Sequence, residues 1–117
     1  MRNKDLEKLT CELAKFAISR DWDKFHSPKN LSMALSGEVG ELLEVFQWLT
    51  EKESENLSLE QRRRVEEEVA DIFLYLLRLS DKLNIDLLEV SHRKLEINES
   101  KYPINKCFGK AKKYTDL

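Results

Sequence analysis

Leu31-Ser32-Met33-Ala34-Leu35-Ser36-Gly37-Glu38-Val39-Gly40-Glu41-Leu42-Leu43-Glu44-Val45-Phe46-Gln47-Trp48-Leu49 carries the pattern from which the fold of this chain is read. At roughly 100° per residue, Leu31, Leu35, Leu42, Val45 and Leu49 fall within about 40° of one direction. The stretch therefore predicts an amphipathic helix. Glu38 lies about 20° from the centre of that apolar stripe, and Glu41 about 60° further round at its edge. Glu44 points away. A carboxylate in the middle of an apolar stripe is partly desolvated, which costs several kcal/mol unless a cation or donors meet it.

Further along, Val65, Val69, Ile72, Leu76, Leu79 and Leu83 form a second stripe. Glu68 lies at its edge, about 60° from the centre, and Asp71 roughly a further 60° round. Two helices thus each carry an acid-x-x-acid pair on or beside the core-facing side. In a chain with 22 Asp+Glu, most pairs at this spacing are solvated surface. These differ by their position on the stripe. If the helices pack together, four carboxylates converge. At about 4 Å and an effective dielectric near 20, each unneutralised pair repels by about 4 kcal/mol. Either several protons stay on, or hard divalent cations bind. An all-oxygen set selects Mg²⁺, with Mn²⁺ as substitute, rather than Zn²⁺. Mg²⁺ held this way keeps positions for water and phosphates, so the site reads as phosphate chemistry. Gly37 and Gly40 flank Glu38 and serve either close helix packing or room beside the carboxylates.

Around these two helices the organisation is simple. A first helix is expected from about Lys4 to Arg20, with Leu6, Leu9, Leu13, Phe16 and Ala17 at helical spacing. A loop, Asp21 to His26, precedes Ser27-Pro28, an N-cap followed by Pro at the first helical position. The second helix should reach about Leu49, and Thr50 to Asn56 reads as a polar connector. Ser58-Leu59-Glu60-Gln61 fits a capping box opening the third helix, which ends near Leu83-Asn84. Asp86 caps a fourth helix that stops before Pro103. Residues 105–117 form a Lys-rich tail, either folded over a substrate or solvated. The expected fold is all-α, an antiparallel four-helix bundle in a single domain, 1–117. Its broad stripes call for completion by oligomerisation.

Composition agrees. Of 117 residues, 41% are hydrophobic and 36% charged, and only 3 Gly and 2 Pro are present. That is too few turn formers for a β-sandwich of this length. The net charge of -2 argues against a general nucleic-acid partner. No apolar run approaches the roughly 18–20 residues of a membrane span, so no membrane is expected. Met1-Arg2-Asn3-Lys4-Asp5-Leu6-Glu7 lacks the apolar core of a signal peptide. Cys11 and Cys107 form no CxxC pair and read as free structural thiols of a cytoplasmic protein.

Several stretches together resemble a known family. They are Arg20-Asp21-Trp22-Asp23-Lys24-Phe25-His26-Ser27-Pro28-Lys29-Asn30-Leu31, Gly37-Glu38-Val39-Gly40-Glu41-Leu42, Phe46-Gln47-Trp48, Glu67-Glu68-Val69-Ala70-Asp71-Ile72 and Lys94-x-x-x-Asn98-x-x-Lys101-Tyr102-Pro103. The chain is similar to the MazG-like all-α nucleoside triphosphate pyrophosphohydrolases, and among them to the dCTP pyrophosphatase branch. The resemblance covers nearly the whole chain. It implies Mg²⁺-dependent hydrolysis of a nucleoside triphosphate, dCTP or a modified dCTP, to monophosphate and pyrophosphate, as housecleaning of the nucleotide pool. It implies a dimer, or a homotetramer of two dimers. Glu38, Glu41, Glu68 and Asp71 become the metal ligands, with Glu41 a candidate to orient the attacking water. Lys94, Asn98 and Tyr102 match positions facing the phosphates and sugar, and Trp22 and Trp48 match base-contacting positions. Aromatic faces stack on bases, which agrees. Without the family, either Trp also reads as a core or interface aromatic. Where some relatives carry a His in the first helix, this chain has Leu13. His26 is open between a substrate-side role and loop packing, and Tyr75 between pocket and core.

Two rival classes remain on the sequence. A di-iron bundle needs two Glu-x-x-His pairs, and only Glu89-x-x-His92 is present. A non-catalytic helical protein-interaction or nucleotide-binding module accounts for the periodicity but not for Glu38 in the stripe centre.

Overall fold

The computed structural model describes residues 3–117; Met1 and Arg2, the start of the N-terminal stretch discussed above, lie outside it. All regular structure among the described residues is helical. The four long helices expected are α1 (Lys4–Ser19), α2 (Pro28–Phe46), α4 (Leu59–Lys82) and α5 (Leu87–Lys101). Of two four-residue helices, α3 (Glu51–Ser54) lies between α2 and α4, and α6 (Ile104–Cys107) follows α5. The chain divides into two compact units, Asn3–Ile85 and Asp86–Leu117.

Side chains set the helix starts by accepting backbone N–H groups that have no partner within the helix. Asn3 accepts from Leu6 at 2.9 Å, Ser27 from Asn30 at 3.2 Å and Asp86 from Glu89 at 3.1 Å. The expected box at Ser58 is present: Gln61 N donates to Ser58 Oγ at 3.1 Å, and Ser58 N to Gln61 Oε1 at 2.9 Å. Asn84 leaves α4 at φ 52, the left-handed turn that Asn tolerates best after Gly.

One expectation is corrected, and two stretches carry more local structure than the sequence indicates. The second helix ends at Phe46, with Gln47 as its cap, and not at Leu49. Within the polar connector, Thr50 and Glu53 form their own capping box and nucleate α3. The tail after Pro103 contains α6 and a 3₁₀ turn over Tyr114–Asp116.

In the first unit α2 packs along α4, and α1 also packs on α4. Arg64 of α4 pairs with Glu44 of α2 at 3.2 Å, while Glu68 meets Glu38 and Glu41. As residue number rises along α2 it falls along α4, so the pair is antiparallel. Ala17, Leu31, Val45 and Leu77 form the buried apolar centre. Much of the rest stays exposed, including Met33, Leu43 and Val69. Val69 and Leu83 belong to the expected core stripe of α4, yet are 50% and 48% exposed. Leu77 takes the buried position instead, at 2%. In the second unit, Tyr102 caps α5, and its hydroxyl accepts the Tyr114 N–H at 3.2 Å. The Tyr102 and Tyr114 rings meet edge-on at 6.0 Å.

Candidate active site

The antiparallel register of α2 and α4 brings the two acid-x-x-acid pairs side by side. Carboxylate oxygens of Glu38, Glu41 and Glu68 come within 4.8 Å of one another. Glu38 and Glu68 are half-buried, and Oε2 of each is buried without a hydrogen-bond partner among the described residues. A buried carboxylate oxygen is seldom left unpaired. Burial first, then the carboxylates of Glu68 and Glu41, pushes the Glu38 carboxyl from 4.5 up to about 7. Asp71 adds to that push from outside the trio. Three convergent carboxylates, two of which also carry a buried unpartnered oxygen, fit a divalent cation such as Mg²⁺ or Mn²⁺. The donor set contains no sulfur or imidazole, so it does not fit a Zn²⁺ site.

Glu38 and Asp71 also line a cavity of about 370 Å³. Leu13, Phe16 and Trp22 supply apolar and aromatic wall, and Tyr75, His26 and Arg78 supply polar groups. Trp22 stands edge-on to Phe16 at 5.7 Å and is 45% exposed. Its loop is tied down at both ends. Trp22 N donates to Ala17 O at 2.9 Å, and Asn30 Nδ2 to Phe25 O at 3.0 Å. An open, mostly apolar cavity with a few convergent polar groups beside carboxylates suits a small ligand with a flat apolar part and an anionic part.

Arg78 is a further residue of the cavity, beyond those the sequence points to. It lies in α4 at 4% exposure, and its guanidinium joins three partners. Nη2 donates to Asp23 Oδ1, Nη1 to Asp81 Oδ2 at 3.3 Å, and Nε to His26 Nδ1 at 3.2 Å. Lys82 Nζ reaches the same Asp23 oxygen at 2.6 Å. The Lys82 hydrogen bond, with help from the Arg78 charge, holds the Asp23 carboxyl below its ordinary range. Burial and the Arg78 charge push His26 below its ordinary value. The signal was available: Arg78 interrupts the apolar run Leu76-Leu77-Arg78-Leu79 as Glu38 interrupts its own stripe.

The remaining expected site residues are distributed over both units. Trp48 follows the end of α2, is 84% exposed and does not line the cavity. Lys94 and Asn98 sit on α5 and Tyr102 at its end, all in the second unit. Tyr75 does line the cavity, and so does Leu13. At Gly37 and Gly40 an added Cβ would meet nothing within 4 Å, so neither glycine serves close helix packing within the chain.

A sequence model of the MazG-like family matches residues 33–117. The chain belongs to the MazG-like family. As a MazG-like protein it is 43% identical over 106 residues to bovine dCTP pyrophosphatase 1, covering 89% of this chain and 63% of that protein. It is 42% identical to the human dCTP pyrophosphatase 1, covering 89% of this chain and 62% of that one. The chain thus spans less than two thirds of these relatives' length. A crystal structure of a pyrophosphatase from Archaeoglobus fulgidus superposes with a TM-score of 0.79 at 46% identity, over 88% of this chain and 96% of that one. No helix among the described residues of this MazG-like chain is long and apolar enough to cross a membrane.

Proposed function

We propose that this protein hydrolyses (deoxy)nucleoside triphosphates, dCTP or a modified dCTP above all, to monophosphate and pyrophosphate with Mg²⁺. One observation carries the reading: Glu38 belongs at once to the orphaned carboxylate cluster and to the wall of the aromatic cavity. A nucleotide spans such a pair of environments, with its base in the cavity and its phosphates at the cluster. The kinship with dCTP pyrophosphatase 1 supports cytosine as the base. Removing non-standard or surplus nucleotides is the cellular role that follows, in the cytoplasm.

Glu38, Glu41, Glu68 and Asp71 would hold the cation. Bound there, Mg²⁺ would neutralise charge on the phosphate oxygens and acidify a water. Glu38, its carboxyl pushed up to about 7, would have to give up its proton to serve as a ligand. Glu41 is exposed at the rim, where its carboxylate can orient a water toward phosphorus. Trp22 offers a face for stacking, and the apolar wall around Leu13 and Phe16 excludes water from the base. Lys94, Asn98, Tyr102 and Trp48 complete the phosphate, sugar and base contacts when copies of the chain assemble as a dimer or a tetramer of two dimers. The exposed apolar residues of α2 and α4, Met33, Leu43 and Val69 among them, favour that assembly.

The test is a product assay. The protein is given each common NTP and dNTP and 5-methyl-dCTP with Mg²⁺, and the products are resolved chromatographically. Monophosphate and pyrophosphate from a cytosine nucleotide are expected. Diphosphate and orthophosphate would overturn the bond assignment, and no turnover with Mg²⁺ or Mn²⁺ would favour a nucleotide-binding or interaction module.

A further inference from the structure

Arg78 and His26 both line the cavity and are hydrogen-bonded to each other. Arginine has only donors, so a hydrogen bond from Arg78 Nε to His26 Nδ1 requires a lone pair on Nδ1. A neutral ring with a lone pair on Nδ1 carries its proton on Nε2. Double protonation would set an N–H against the guanidinium. The burial of the ring and the adjacent Arg78 and Lys82 charges oppose protonation, and only Asp23 favours it. Asp23 is itself engaged by Arg78 and Lys82. Nε2 of His26 makes no hydrogen bond among the described residues, and it is not among the buried unpartnered atoms. His26 lines the cavity.

We propose that Arg78 is a positioning residue that locks His26 in the Nε2–H tautomer, and that this N–H is the donor by which the cavity reads the N3 acceptor of a cytosine base, which thymine replaces with an N–H. The inference rests on the nucleotide reading above and adds a specificity determinant to it. It also gives the buried Arg78 a role beyond tethering the Trp22 loop to α4. A tether needs only the Asp23 ion pair, whereas the lock needs the third prong of the guanidinium. Lysine supplies the first and not the second.

The first experiment is nitrogen-15 NMR of the histidine ring in the intact protein, without metal or nucleotide. Wild type should show the proton of His26 on Nε2, and Arg78→Lys should lose that single-tautomer signature while the fold persists. A ring protonated on Nδ1 in wild type would overturn the lock. Titration with dCMP, dTMP, dAMP and dGMP follows. The cytosine nucleotide should move the His26 Nε2–H signal most; no response to any of the four would overturn the donor role, even for a protein that turns nothing over. In the product assay, His26→Phe should lower kcat/KM for dCTP relative to dTTP by about tenfold, mainly through KM. His26→Gln, which restores an N–H donor on the cavity side, should recover most of that ratio. Equal ratios in His26→Phe and wild type would sink the proposal while leaving the hydrolase reading intact. Absence of wild-type turnover would count against the hydrolase reading alone.

Discussion

Glu38→Gln offers the sharpest test of the desolvated cluster. The carboxyl is raised from 4.5 to about 7, chiefly by burial. At about 1.4 kcal/mol per tenfold change in proton affinity, this sets a ceiling of about 3 kcal/mol. Because the side chain is only half-buried, about 2 kcal/mol is expected. The sign follows from linkage. A raised folded pKa means that the folded chain holds the proton more tightly than the unfolded one. The stability it contributes is complete below pH 4.5 and is lost as pH rises through about 7. Glutamine has the shape without the ionisation. In EDTA at pH 8, Glu38→Gln should therefore be the more stable protein, melting about 8 °C higher at roughly 4 °C per kcal/mol. At pH 5 the two should nearly coincide. His26 titrates in the opposite sense, since its lowered value contributes stability above 6.5 that is lost on acidification. The readout is therefore the difference between variant and wild type, in which His26 cancels. The gain should come with loss of hydrolysis, because the variant removes a ligand from the cluster. Equal melting at pH 8 in EDTA would refute the burial argument, and hydrolysis surviving in Glu38→Gln would refute the site.

Mg²⁺ at about a hundred times its dissociation constant should stabilise wild type by about 2.7 kcal/mol, read by thermal denaturation, and should do much less for Glu68→Gln. A Glu68→Gln response equal to wild type would remove Glu68 from the ligand set. Gly37→Ala should stabilise the fold by about 0.5–1 kcal/mol, since the space beside it is open and α2 loses a helix-weakening residue. It should lower hydrolysis if that space holds phosphate or cation, and unchanged kinetics would show that it holds neither. Trp22→Ala should raise KM about tenfold with kcat largely kept if the ring stacks on a base as proposed, because its loop is held by hydrogen bonds that the ring does not supply.

The helices and their starts were legible because their determinants are local. Asn3, Ser27, Ser58 and Asp86 each accept an N–H three residues ahead, a contact set by backbone geometry alone. The helix-two boundary at Leu49 was misplaced for a local reason too. The Thr50–Glu53 box opens a new helix in the connector, with the same Ser/Thr-x-x-Glu/Gln signature as Ser58–Gln61.

Glu38 could be found from the sequence because a charge in the centre of an apolar stripe contradicts its surroundings. By sequence alone the chain is all-α, with two acid-x-x-acid helices whose carboxylates belong together, since a period of 3.6 residues fixes which side chains share a face. Periodicity does not say which side of a broad face the chain covers itself. Tertiary packing placed Leu77 inside and left Val69 and Leu83 exposed. Packing also chose the antiparallel register that gathers Glu38, Glu41 and Glu68 while leaving Asp71 on the cavity wall. The ring of Asp23, His26 and Arg78 joins residues 52 and 55 positions apart. No local preference encodes a contact of that separation; it exists only once α4 is docked against the loop after α1.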